Sequence, residues 1–146
     1  MTPPTGHGAS RWRFTRARRI LRPANRLPLD AWVSDQRARF AGLVLNVGAG
    51  EDDRIFGRRT IRLDGFAPSA TVRSNLGVAL PFQNDVFDGV VCTEVLEHVP
   101  SPDDLLREIA RVVKPNGIAI FTMPFFFHYH ADPEDFTRLT PPGLRP

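Results

Sequence analysis

Gly48-Ala49-Gly50 follows directly on the apolar run Leu43-Val-Leu-Asn-Val47 and precedes the acids Glu51-Asp52-Asp53. A short apolar run ending in Gly-x-Gly reads as a buried strand whose chain must turn tightly. Glycine lets the main chain pass close to a ligand and take positive φ at little cost. The pattern lacks the third glycine of a dinucleotide fingerprint, and acids at a helix start would repel a pyrophosphate. The loop suits a ligand that carries a cation and no phosphate. Asp64 ends the next strand-like run, Thr60 to Leu63. A carboxylate there offers two acceptor oxygens to the vicinal hydroxyls of a ribose. Asp64-Gly65 is also a strong turn signal, so a turn aspartate competes with that reading. The position relative to the glycine loop favours the ribose.

Further along, Glu94 opens a loop after a third apolar run, and His98, His128, His130 and Asp132 are the titratable candidates for proton removal. His98, beside Glu97, reads as a residue that orders its loop. His128-Tyr-His130 with Asp132-Pro-Glu-Asp135 invites comparison with a metal cluster. Its odd spacing and its aromatic neighbours Phe125-Phe-Phe127 make it a substrate-side wall instead, so no metal is expected and no catalytic base is assigned. The lone Cys92 lies in an apolar run and reads as a buried, inert thiol.

These groups need strands to end beside one another. The pattern predicts a helix over Leu29–Phe40, capped by Asp30 and stopped at Gly42. Strand one is expected over Leu43–Val47, strand two near Thr60–Leu63, a short third strand over Thr71–Ser74, and a fourth over Val86–Thr93. Arg54-Ile-Phe-Gly-Arg58 leaves room for one or two helical turns between the first two strands. Both early crossovers are short for parallel neighbours. Ser101-Pro102 with Asp103 and Asp104 marks a helix start. Leu105, Leu106, Ile109, Val112 and Val113 share one face, Lys114 falls in the last turn, and Pro115-Asn116-Gly117 ends the helix before a fifth strand, Ile118–Met123. Alternating strands and helices imply an α/β, doubly wound, mainly parallel sheet, with ligands at the carboxyl ends of its strands.

The chain has 146 residues and a net charge of +3, unevenly spread. Residues 1–42 hold nine arginines against Asp30 and Asp35, while residues 43–146 hold ten basic and fourteen acidic groups. The basic charge therefore belongs to a leader, residues 1–28, expected to be a flexible extension to a domain over residues 29–146. Its run Arg11-Trp-Arg-Phe-Thr-Arg-Ala-Arg-Arg19 alternates cations with aromatics and could contact nucleic-acid phosphates or anionic lipid. No apolar run approaches the roughly 20 residues of a membrane span, and no apolar signal region precedes the domain, so a cytoplasmic location is expected.

Five motifs now stand in order: Val-Leu-Asn-Val-Gly-Ala-Gly50; Arg-Leu-Asp64; Leu80-Pro-Phe-Gln-Asn-Asp-Val-Phe-Asp88; Val95-Leu-Glu-His98; and Leu106-Arg-Glu-Ile-Ala-Arg-Val-Val-Lys-Pro-Asn-Gly117. Together they resemble the class I S-adenosylmethionine-dependent methyltransferases, type 11 group, over residues 43–146. The resemblance implies a Rossmann-like sheet in the order 3-2-1-4-5. It also implies S-adenosyl-L-methionine as cofactor and a small-molecule or lipid methyl acceptor. By position, Gly48, Ala49 and Gly50 match the loop under the methionine part, and Asp64 the acid on the ribose. Asn75 and Leu76 match the segment beside the adenine, and Glu94 the methionine side. Asn46 stands where relatives often carry an acid, as does Asn75, which keeps acceptor capacity and drops charge. The chain stops where the family's next helix should begin, so the usual last two strands are expected to be missing and strand five to be an open edge. The alternative this raises is a truncated, catalytically silent domain that acts by binding, including self-association through that edge.

Overall fold

A computed structural model describes residues 26–144, apart from Asp53 and Asp132. Most of the arginine-rich leader lies outside the described residues. Five strands form one sheet: β1 (Leu43–Val47), β2 (Arg59–Asp64), β3 (Val72–Arg73), β4 (Phe87–Thr93) and β5 (Val113–Thr122). Their order is β3-β2-β1-β4-β5 and every pairing is parallel. The expected doubly wound order is therefore what the chain adopts.

The sheet is covered on both faces because its central strands are apolar on both. Leu45 and Val47 of β1 join Val90 and Cys92 of β4 on one face, against Leu105, Ile109 and Val112 of helix α2 (Pro102–Val112). Val44 and Val91 face the other way, against Val33 of helix α1 (Arg26–Asp35), Phe40 and Phe56. Cys92 is fully buried, and burial raises its thiol pKa, as expected of an inert sulfur. On the other face, β4 packs tightly at Gly89, where a Cβ would sit 2.4 Å from the Phe40 ring and 3.1 Å from the Ile118 carbonyl oxygen.

Several boundaries differ from the sequence expectation, each for a local reason. The first helix starts at Arg26 and ends at Asp35, followed by a 3-10 turn over Gln36–Arg39. Asp30 thus lies inside the helix rather than at its start, and residues 26–28 form the first turn. Trp32 is 46% exposed, so Val33 and Phe40 carry the buried side. Among the described residues, no helix forms between β1 and β2. Phe56 plugs that crossover in place of a helix, fully buried and edge-to-face with Phe40, with ring centroids 5.7 Å apart. Thr60 Oγ1 both accepts from the Phe56 N–H and donates to its carbonyl, and the Arg58 and Arg59 amides donate to the Gly42 carbonyl. These bonds satisfy the backbone that a helix would otherwise satisfy itself. Ser101 precedes α2 without a side-chain capping bond, leaving Pro102 and the two first-turn acids to mark the start.

The largest departure is at β5. The Pro115-Asn116-Gly117 segment does not separate α2 from the strand; it lies within the strand as a bulge. Phe87 pairs with Val113, and Gly89 next pairs with Ile118. Lys114 therefore sits on β5, where its Nζ donates to Asp88 Oδ1 at 2.8 Å. Asp88 Oδ2 accepts from the Leu43 amide at 2.7 Å, so one carboxylate ties β1, β4 and β5 together at their amino ends. Arg111 supplies the basic charge in the last turn of α2. It pairs with Glu108 and donates to the carbonyls of Leu80 and Phe82, while Glu108 accepts from the Leu80 amide.

Gly89→Ala is expected to destabilise the protein by about 1–3 kcal/mol, the usual range for overpacking a core, as measured by urea unfolding. The Arg111 guanidinium beside Glu108 holds its carboxyl below the usual range. A depressed folded pKa adds stability above the unfolded value, which is lost as pH falls through the folded one. Glu108→Gln should therefore lower the melting temperature at pH 7 and flatten its decline on acidification below about pH 4.3.

Candidate functional site

Parallel pairing places the carboxyl ends of all the strands on one side of the molecule. The loop leaving β1 turns there with Gly48 at φ 63° and Gly50 at φ 53°, both in the left-handed region. A Cβ on Gly48 would lie 2.3 Å from Val95 Cγ2, whereas one on Gly50 would meet nothing within 4 Å. Gly48 is thus required by packing, and Gly50 leaves open space beside the backbone. The amides of Gly48 and Ala49 both donate to the Leu63 carbonyl, which pins the loop across the end of β2.

Asp64 meets that loop directly. Its Oδ2 accepts from the Gly50 amide at 2.8 Å, and its Oδ1 accepts from the amides of Phe66 and Ala67 at 2.7 and 2.9 Å. Both readings of Asp64 have a geometric basis. The carboxylate organises its own turn, and it stands against the glycine loop. A carboxylate has about four acceptor sites, three of which are taken here.

Asn46 is buried at the end of β1 and donates from Nδ2 to Asp52 Oδ2 at 3.3 Å. Burial raises the Asp52 carboxyl pKa, and its bonds with Arg54 more than offset that, leaving it below the usual value. Of the acids after the glycines, Asp52 is consequently neutralised locally, while Glu51 is exposed. Asn75 and Leu76 follow β3. Asn75 is exposed and accepts from the Gly77 amide at 2.8 Å, and Leu76 packs against the core. Among the described residues, no hydrogen bond links Asn75 to the glycine loop.

Glu94 leaves β4 at φ 57°, in the left-handed region, and accepts from Thr122 Oγ1 at 3.0 Å. Behind it, Glu97 is fully buried, and neither carboxylate oxygen has a hydrogen-bond partner among the described residues. Burial pushes its pKa up to about 7, with Glu94 adding to the rise and His98 and Arg138 opposing it. His98 ties the loop as expected, its Nδ1 lying 2.5 Å from the Glu134 carbonyl oxygen. The aromatic segment splits. Phe126 is 96% and Tyr129 70% exposed, whereas Phe127 packs edge-to-face on His130, which in turn packs on His98. Arg138 chelates Asp135, whose carboxyl falls to about 2.

Glu97 is the residue that sequence reasoning passed over. It stood inside the Val95-Leu-Glu-His98 motif, and the signal available was an acid flanked by apolar positions. A concavity lined by Val113, Lys114, Gly117, Ala119 and Phe121 runs along the β5 edge, away from this cleft.

Residues 54–121 match the family model described as a methyltransferase domain. That segment, just under half of the chain, is similar to the type 11 methyltransferase domain. It is 32% identical to the "Uncharacterized methyltransferase MLBr02584" of Mycobacterium leprae (strain Br4923), over 64% of this chain and 41% of that protein. It is 34% identical to the "Ubiquinone biosynthesis O-methyltransferase" of Pseudomonas syringae pv. tomato, over 62% of this chain and 48% of that protein. The chain thus spans under half the length of these curated relatives. Among solved structures, the YcgJ protein of Bacillus subtilis aligns with a TM-score of 0.52 and 26% identity, over 75% of this chain and 53% of that one. The Bacillus halodurans C-125 protein BH2331 shares the fold at a TM-score of 0.55 and 21% identity, over 64% of this chain and 50% of that one. No helix among the described residues is long and apolar enough to cross a membrane.

Asp64→Asn should replace one acceptor with an amide donor facing backbone N–H groups, costing about 1–3 kcal/mol. Hydrogen exchange would show the loss as faster exchange at Gly50, Phe66 and Ala67, with the β4 amides changed least.

Proposed function

We propose that this chain carries out S-adenosylmethionine-dependent methyl transfer to a small-molecule or lipid acceptor. The observation that carries the reading is the 2.8 Å bond from the Gly50 amide to Asp64, which joins the glycine loop of β1 to the acid of β2 at the strand ends. The donor set fits the group. Acids predominate, the loop opens no helix whose N-terminus would attract an anion, and a sulfonium with an amino-acid end needs no phosphate cradle. Gly48, Ala49 and Gly50 would lie under the methionine part, with Asn46 behind them. The remaining acceptor capacity of Asp64 would take a ribose hydroxyl. Asn75 and Leu76 would flank the adenine, and Glu94 the methionine side.

When bound, the cofactor supplies a methyl group activated by positive charge on sulfur. The protein's share is placement: a loop pinned by two bonds to the Leu63 carbonyl holds its geometry before any ligand arrives. The relative named as an O-methyltransferase supports a hydroxyl-bearing small molecule as acceptor, and this reading carries a cytoplasmic location with it.

A second reading, a silent binding domain, is favoured by the ten residues of β5. They form one end of the sheet, and edge strands template pairing with another chain. Light scattering at micromolar protein would give a dimer on this reading, and a monomer that methylates an acceptor would end it.

Calorimetry with S-adenosylhomocysteine tests the first reading. Saturable heat is expected, and Gly48→Ala should weaken it at least about tenfold, because a misplaced binding loop typically loses one to two orders of magnitude. A folded protein that gives no heat at millimolar ligand would sink the reading.

A further inference from the structure

We infer that Glu97, His98 and His130 form a binding site for a divalent first-row transition-metal ion, of the zinc class. A set of potential ligand atoms, one each from a Glu97 oxygen and a ring nitrogen of each histidine, lies within 4.8 Å of one another. Donors held about 2.0–2.2 Å from a tetrahedral zinc lie roughly 3.3–3.6 Å apart, so the widest pair has to close by about 1 Å, a movement within reach of side-chain rotation. This departs from the sequence expectation of no metal. That expectation weighed residues 128–135 alone, whereas the fold brings in the loop after β4.

Glu97 supplies the independent observation. A fully buried carboxylate with no hydrogen-bond partner on either oxygen carries a large desolvation cost unless a proton or a cation neutralises it. The nearest ring nitrogen, His98 Nε2, lies 3.6 Å from Glu97 Oε1. The other, Nδ1, lies 2.5 Å from the Glu134 carbonyl oxygen. A carbonyl only accepts, so Nδ1 carries the proton, and in the neutral ring Nε2 turns a lone pair toward the carboxylate. Two acceptors then face each other across a gap that needs a positive charge. Among the described residues the Arg138 guanidinium makes no hydrogen bond to Glu97; both of its terminal nitrogens bond Asp135, and Nη2 also lies 3.5 Å from His130 Nδ1.

The supporting contacts match those that orient metal-bound histidines. His98 has its backbone carbonyl. His130 Nδ1 faces Asp135 Oδ2 at 3.4 Å, and Arg138 and the His130 amide hold that carboxylate. Two imidazoles and one carboxylate suit zinc-like ions better than magnesium or calcium. Three protein ligands leave a fourth position for water or for an oxygen of a bound molecule. The side chain of His130 is 27% exposed, which gives an entry path.

The test is a cobalt(II) titration of the full, tag-free chain after chelator treatment and dialysis, followed by visible ligand-field absorption and by competition with zinc chloride. One ion per chain is expected, displaced by zinc. Glu97→Gln and His130→Gln should each weaken binding at least tenfold. Asp135→Asn, which only orients His130, should weaken it about 10–100-fold. Thermal melts check that each variant folds. His130 is partly exposed, so its variant keeps the test decisive if the Glu97 variant does not fold. No saturable absorption from folded protein, or affinity unchanged in the folded His130 variant, would overturn the site. S-adenosylhomocysteine calorimetry on the same samples keeps the two readings apart. Cobalt binding without nucleoside binding would leave the metal site standing and remove the methyl-transfer reading.

Discussion

Burial of β1 on both faces is the constraint from which the rest of the structure follows. Val44 and Leu45 face opposite layers and both are fully buried, so the strand must have a neighbour on each side to satisfy its backbone. It pairs with β2 and β4, and those pairings are parallel. Once they are parallel, the loops leaving β1, β2 and β4 emerge together. Gly48, Asp64 and Glu94 then share one side of the protein although they are far apart in sequence. That convergence depends on a central strand buried on both faces, with Asn46 its one polar side chain.

The amino ends of the same strands are fixed by a different device. Asp88 accepts from the Leu43 amide and from Lys114, so strands from three parts of the chain are held in register at the end remote from the cleft. The Arg111–Glu108 pair does the same for the segment before β4, using backbone carbonyls and an amide as anchors. Both pairs are partly exposed, and isolated surface ion pairs are worth little. Their value here lies in the backbone groups that they tie down, which water would otherwise have to satisfy.

Much of this was legible in the sequence, and the parts that were not share a cause. Continuous apolar runs announced β1, β4 and most of β5, and the face of Leu105, Ile109 and Val112 announced α2, because a two-layer core requires those periodicities. The glycine loop and Asp64 were legible because strand-end carboxylates and tight turns have few other uses. What escaped was settled by contacts made at a distance. Phe56 fills the space of an absent helix because Phe40 stands beside it on the same face of the sheet. Pro115-Asn116-Gly117 joins a strand because Phe87 and Gly89 offer a register with room for extra residues. Asp64 serves its own turn as well as the loop because Gly50 comes within reach. Glu97 reads in sequence as one acid among several, and only the packed loop shows its carboxylate fully buried with no hydrogen-bond partner among the described residues.

The corner at Glu94 bears on how this chain can change. Its left-handed backbone costs a non-glycine residue about 1–2 kcal/mol, a cost that glycine would avoid. A segment that had only to turn would be free to drift toward glycine. Two effects therefore oppose each other at this position: the backbone favours glycine, while the carboxylate holds the Thr122 hydroxyl of β5. Replacement by glycine would relieve the turn and release the end of that strand.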